Sequence, residues 1–194
     1  MTEEDIRIEP LDAVGLDARL GLCWGHLTGW AELPIVDRSR RWLKQANARF
    51  SPTTFVASRG ETPAGMIEFL PLSLLPESGL CPCRGGPETY PSVSKAKNLA
   101  AAYPGHLFIT CLWVLPDHQG HGIGTALLRH LLDSEVARRF EGILVYVSER
   151  GESWEEHIHW PSGPMALYVR AGFTLVKPIE SPSGHLLRYK RPGA

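Results

Sequence analysis

Short apolar runs alternate along this chain with longer stretches in which apolar residues recur every three or four positions. Ile6 to Glu9 predicts a first strand. From Asp12, placed to cap a helix, to Trp24, the positions Val14, Leu16, Leu20 and Trp24 predict a helical stretch. Asp37 predicts the cap of a second helix, Arg38 to Ala48, whose basic face reads as solvated. Thr53–Ser58 and Ala64–Leu70 predict two strands. Between them, Arg59-Gly60-Glu61-Thr62-Pro63 has the composition of a hairpin turn. Alternation along the second strand puts Met66, Glu68 and Leu70 on one face and Ile67 and Phe69 on the other.

From Pro71 to Gly105 the pattern gives way to Pro, Gly, Ser and Cys, with one helical candidate at about Val93 to Ala102. A connection of that length inside a domain points to function or mobility. Leu107 to Leu115 is the densest apolar run and predicts a strand buried on both faces, ended by Pro116. Ile123 to Phe140 carries apolar residues at Ile123, Leu127, Leu128, Leu131, Leu132 and Val136, which is helical spacing. Ile143–Val147 predicts a strand. A polar linker containing Trp154, His157, His159 and Trp160 leads to a helix at about Pro164–Ala171, with Gly172 as its left-handed stop. Phe173–Val176 and His185–Tyr189 complete the strands. The order β-α-α-β-β-insert-β-α-β-α-β-β predicts one mixed α/β domain over residues 1–194, with an insert at about 71–105 and no internal repeat.

Composition narrows the function classes. Apolar residues make up 43% and charged residues 21% of the 194, as in a globular protein. A net charge of −1 supplies no basic field for nucleic acid. The start Met1-Thr-Glu-Glu-Asp5 does not read as a signal peptide, and no apolar run approaches the ~18 residues of a membrane helix. The expectation is a cytoplasmic protein with its four cysteines reduced.

The strongest chemical signal is Val114-Leu-Pro-Asp-His-Gln-Gly-His-Gly-Ile-Gly-Thr125, where a strand ends, a glycine-rich turn follows and a long helix begins. A helix N-terminus offers unpaired N–H groups and partial positive charge to an anion. Gly120, Gly122 and Gly124 remove Cβ atoms and permit unusual backbone angles. The dinucleotide fingerprint fails, because its third glycine would fall on Thr125 or Leu127. A P-loop fails for want of Gly-Lys-Ser/Thr. The spacing alone leaves two readings, an anion cradle and a turn without a ligand.

Val114, Pro116, Gln119, Gly122 and Gly124 form Val-x-Pro-x-x-Gln-x-x-Gly-x-Gly, which resembles the cofactor motif of the GNAT superfamily of N-acetyltransferases. Ala166-Leu-Tyr-Val-Arg-Ala-Gly-Phe173 resembles the superfamily's second hallmark, and the matched core spans about Leu107 to Val176. The resemblance implies a mainly antiparallel sheet flanked by helices, with acetyl-CoA wedged between two splayed strands, Leu107–Leu115 and Ile143–Val147. It also implies that Trp113 and Val114 pair with the pantetheine, and that Gln119, Gly120, His121, Gly122, Ile123, Gly124 and Thr125 hold the pyrophosphate. The implied reaction is direct attack by a primary amine in a ternary complex, and the resemblance admits a homodimer.

By the same resemblance Tyr168 is the general acid for the departing thiolate; a phenol of ordinary pKa near ~10 is matched to that task. Many relatives carry a basic glutamate in the strand entering the cofactor loop, but Leu107–Leu115 holds no carboxylate, which makes Glu68 the candidate base. A solvent-facing Glu68 and a water chain from His106 or His157 are the alternatives. Cys111 reads as a small core residue. Cys81 and Cys83 could join His157 and His159 around zinc, but their spacing departs from Cys-x-x-Cys, and no metal is expected. Tryptophans of the first helices and the linker could line an acceptor pocket. The rival function is an inactive acyl-CoA sensor or scaffold on the same fold; a metal or redox protein built on the insert is a further one.

Overall fold

The computed structural model describes residues 6–24, 29–75, 93–148, 164–179 and 184–191. Cys81, Cys83, Trp154, His157, His159 and Trp160 lie outside these.

Seven strands form one sheet: β1 (Ile6–Pro10), β2 (Thr54–Arg59), β3 (Thr62–Pro71), β4 (His106–Val114), β5 (Gly142–Ser148), β6 (Thr174–Ile179) and β7 (Gly184–Lys190). Their order is β1-β2-β3-β4-β5-β7-β6. Every neighbouring pair is antiparallel except β4 and β5, which run parallel. The helices are α1 (Leu11–Val14), α2 (Leu16–Trp24), α3 (Pro34–Arg49), α4 (Val93–Ala102), α5 (Ile123–Asp133), α6 (Glu135–Arg138) and α7 (Met165–Arg170).

The sheet has a core on each face. On one, α5, α6 and α7 bury Ile123, Leu127, Leu128, Leu131, Val136 and Tyr168 against Ile67, Phe69, Ile109 and Val145. Burying each such side chain is worth roughly 1.5–3 kcal/mol. On the other, α1 and α3 cover Leu70, and α2 covers Val56, Met66 and Cys111. Farther along that face, Ala96 and Leu99 of α4 cover Phe108, Leu144 and Leu186. Met66 and Leu70 thus fall opposite Ile67 and Phe69, as alternation along β3 requires.

Three helix limits differ from the sequence reading. The first helical stretch breaks at Gly15 (φ 82°), and Asp12 caps nothing; its carboxylate accepts from Asn47 Nδ2 and Ser51 Oγ instead. The next helix starts at Pro34, whose missing N–H costs nothing in the first turn, so Asp37 lies inside the helix and pairs with Arg40. The helix begun at Ile123 stops at Asp133. Ser134 takes extended angles there and its hydroxyl accepts from Ala137 N, opening the short α6.

The central feature is where β4 and β5 part. Their ladder runs only from His106↔Gly142 to Ile109↔Val145. Beyond it β4 stays with β3 as far as Val114↔Gly65, and β5 stays with β7 as far as Ser148↔Gly184. The two strands therefore splay, with the apex just past Ile109. Thr110 is also the bulged residue of β4, because the β3 register steps from Phe69↔Ile109 to Glu68↔Cys111 across it.

Candidate functional site

The glycine-rich turn follows the end of β4, at the open end of the splay. A short 3-10 turn, Pro116–His118, leads from β4 into it. Gly120 and Gly122 have φ of 75° and 81° with nothing within 4 Å of an added Cβ, so backbone conformation and not crowding selects glycine at both. Gly124 differs. Its φ is ordinary, and a Cβ there would only reach van der Waals contact with Leu112 and Leu167.

Gly122 is the residue before α5, and the helix's first hydrogen bond is Ala126 N–H to Gly122 O at 2.9 Å. The N–H groups of Ile123, Gly124 and Thr125 are therefore outside the helical ladder. The Ile123 side chain is buried under the sheet, while Gln119, Gly120, His121 and Gly122 are exposed. An apolar anchor thus fixes the first turn with its free N–H groups at the mouth of the splay. That arrangement suits an anion.

Gln119 ties the turn to the strand, donating from Nε2 to Val114 O at 3.0 Å. The backbones of Trp113 and Val114 point opposite ways. Leu115 N–H bonds Ala64 O, and a Cβ on Gly65 would lie 2.9 Å from Trp113 O, so residues 113 and 115 turn their peptide groups to β3. By alternation Val114 turns its own towards the gap.

Tyr168 and Glu68 are both fully buried, at 0% exposure. Tyr168 belongs to the core under α5 and meets Phe173 edge-on, ring centroids 5.2 Å apart. Glu68 lies beneath α2. Its Oε2 accepts from Arg19 Nη2 at 2.5 Å, and its Oε1 accepts from Thr110 Oγ1 at 2.8 Å. Arg19, also 0% exposed, further donates to Cys23 Sγ at 3.3 Å. Removing one partner of such a pair leaves a buried charge uncompensated and costs about 3–5 kcal/mol.

Arg19 and Thr110 were not singled out by sequence reasoning. A signal was present for each. Leu16, Arg19, Leu20 and Cys23 follow the i, i+3, i+4, i+7 spacing of a buried helix face, which puts an arginine where an apolar residue belongs. Thr110 is a hydroxyl residue in the middle of the densest apolar run.

His106 is remote from this arrangement. It starts β4, about 26 Å from Val114 at ~3.3 Å per residue, at the paired end of the strands. Arg188 Nε donates to its Nε2 at 3.1 Å, so Nδ1 carries the hydrogen and donates to Pro104 O at 3.0 Å. Both ring nitrogens are engaged. A pocket of about 170 Å³ between Leu132, Arg138, Phe140, Gly142 and Arg191 lies at that same end. Cys111 is a buried thiol in the core beneath α2. Among the described residues no three His, Cys, Asp or Glu side chains gather as metal ligands, and no helix is long and apolar enough to cross a membrane.

Comparison with known proteins agrees with this architecture. The profile of the Acetyltransferase (GNAT) family matches residues 23–153. No curated protein matches the chain in sequence. Among solved structures, a Salmonella typhimurium protein with acetyl-CoA as its cofactor is similar over 96% of this chain and 94% of its own, at 15% identity and a TM-score of 0.57. A chain of the NatC complex bound to Gag peptide and CoA is similar over 96% and 99%, at 16% identity and 0.55. An acetyltransferase from Thermus thermophilus is similar over 96% and 97%, at 18% identity and 0.52. At these identities the likeness is one of fold.

Proposed function

The chain belongs to the GNAT acetyltransferase family, and from that premise we propose that it transfers acetyl from acetyl-CoA to a primary amine by direct attack in a ternary complex. The observation that carries this reading is the splay of β4 from β5 with the Gln119–Thr125 turn at its mouth. The family membership, and the acetyl-CoA and CoA bound by the Salmonella protein and the NatC complex, support the choice of donor.

The residues divide the work along the gap. Free N–H groups at Ile123, Gly124 and Thr125, with the exposed Gln119–Gly122 backbone, receive the pyrophosphate. Val114 presents its peptide group to the pantetheine, and Trp113 backs it from the strand's other side. The thioester then reaches towards the apex, where the backbone N–H of Leu112, turned to the gap by the same alternation as Val114, can support an oxyanion. The amine nitrogen bonds to the acyl carbon, the C–S bond breaks, and the thiolate takes the phenolic proton of Tyr168, which solvent replaces. The attacking nitrogen loses one proton. Glu68 is the candidate acceptor for it, one hydroxyl away from the bulge through Thr110. Protonating Glu68 would remove the negative charge that faces the buried Arg19, and this sets the role of base against the role of fixed counter-ion.

The rival reading, an inactive acyl-CoA sensor, predicts the same binding without turnover. Calorimetry with acetyl-CoA on the wild-type chain and on Gly122→Asp tests the donor site. Binding abolished by the substitution supports it; a folded wild-type chain that binds no acetyl-CoA overturns it. Screening primary amines for release of free CoA thiol then separates enzyme from sensor.

A further inference from the structure

Arg19 and Glu68 form an ion pair with both side chains 0% exposed, and it is placed at the point where the sheet opens. Arg19 comes from α2, Glu68 from β3, and Thr110 from β4, so one hydrogen-bonded chain joins three elements. Thr110 is at once the bulge of β4 and the first residue past the last β4–β5 pair. A bulge needs a reason to persist, because its extra residue drops out of the ladder. Here the reason is visible. Bulging lets Thr110 and Cys111 both look towards α2, and the Thr110 hydroxyl then finds Glu68 Oε1 at 2.8 Å. Arg19 holds the other oxygen at 2.5 Å, which fixes the carboxylate's rotation.

We propose that Arg19, Glu68 and Thr110 are a positioning triad that fixes the β4 bulge and thereby places the acyl carbonyl at the apex of the gap, with Glu68 acting as a fixed acceptor and not as the base. The inference rests on the acetyl-transfer reading and deepens it. The triad touches no reacting atom. It sets the step in register at Thr110 and with it the direction in which the Leu112 peptide group faces the gap, and small errors in such placement cost up to about a hundredfold in rate.

The test uses acetyl-CoA labelled with carbon-13 at the acetyl carbonyl, together with calorimetry and thermal unfolding. Bound to the wild-type chain, the carbonyl resonance should be a single line displaced from its free position. Thr110→Val and Glu68→Gln should bind acetyl-CoA within about threefold of wild type, since the pyrophosphate end is untouched. Their carbonyl resonance should move back towards the free value. Where Glu68→Gln fails to fold, Thr110→Val and the double substitution Arg19→Met with Glu68→Met carry the test, since apolar replacement of both charges is tolerated far better than removal of one. The double variant should regain the unfolding temperature lost in Arg19→Met alone, yet keep the relaxed resonance.

Three outcomes overturn the proposal. A resonance unmoved in Thr110→Val shows that the bulge does not depend on the hydroxyl. Recovery of both stability and resonance in the double variant shows a purely structural pair. With an active amine in hand, loss of one limb of the pH–rate profile in Glu68→Gln shows a base. Failure of the wild-type chain to bind acetyl-CoA would instead sink the underlying reading.

Discussion

Tyr168 and Glu68 lie on opposite faces of one sheet, Tyr168 in the core under α5 and Glu68 beneath α2. Side chains so placed can meet at a common ligand only where the sheet is interrupted. The interruption exists between β4 and β5, past Ile109. In the proposed reaction a thioester lying in that gap would be approached by the phenol from one face and by the amine from the other.

Tyr168→Phe removes the phenolic hydroxyl and keeps the edge-on packing against Phe173. Turnover should fall by about 10²- to 10⁴-fold, the range of general acid catalysis, while acetyl-CoA affinity stays unchanged. Steady-state kinetics beside calorimetry checks this. Equal losses of affinity and rate would place Tyr168 in the core only.

Gln119→Ala cuts the tie from the turn to Val114 O. One hydrogen bond of this kind is worth about 0.5–1.5 kcal/mol, so acetyl-CoA should bind about two- to tenfold more weakly. The residue is exposed, and the unfolding temperature should hardly change. Titration calorimetry with a parallel melting curve separates the two effects.

Gly65→Ala should destabilise the chain by about 1–3 kcal/mol, because the new Cβ would fall 2.9 Å from Trp113 O and 3.1 Å from Ile123 Cγ2. Denaturant unfolding measures the loss. Since Trp113 and Ile123 frame the strand end and the first turn of α5, donor affinity should decline with it.

His130 predicts a pH dependence. Its ring meets Phe55 edge-on with centroids 4.6 Å apart, and burial lowers its pKa from the ordinary 6.5 against an opposing pull from Asp133. The folded chain therefore prefers the neutral ring more strongly than the unfolded chain does. Above 6.5 both forms are neutral. As pH falls below 6.5 the unfolded chain takes the proton first, so stability is lost through the window between 6.5 and the lower folded value. The ring is partly in solvent and the effect is small. Melting temperatures from about pH 7.5 to about pH 5 should fall less steeply for His130→Gln than for wild type.

Much of this is written in local pattern. Period-two alternation in β3 predicts which face Glu68 shares with Met66 and Leu70, and the structure puts them there. Gly172 takes φ 92° after α7, as a left-handed stop should. The two motifs flank the splayed pair. What stays hidden depends on partners distant in sequence. Arg19 and Glu68 are separated by 49 positions, and nothing local tells a buried arginine from a solvated one. Gly15 and Ser134 break helices whose apolar spacing runs on unbroken across them, because a single residue's angles do not disturb periodicity. Pro34 and Asp37 are competing start signals three positions apart, and the chain uses the proline.

The brief β4–β5 ladder makes this sheet two antiparallel blocks, β1–β4 and β5–β7–β6, stitched by a few rungs. A ligand laid in the gap would supply the missing rungs and weld the blocks. Cohesion of the fold would then track the donor's concentration, gaining about 2.7 kcal/mol at a hundredfold excess over Kd. A cell short of donor would hold this protein in a looser form, more open to proteolysis, so the supply of acyl groups would govern how long the protein lasts as well as how fast it works.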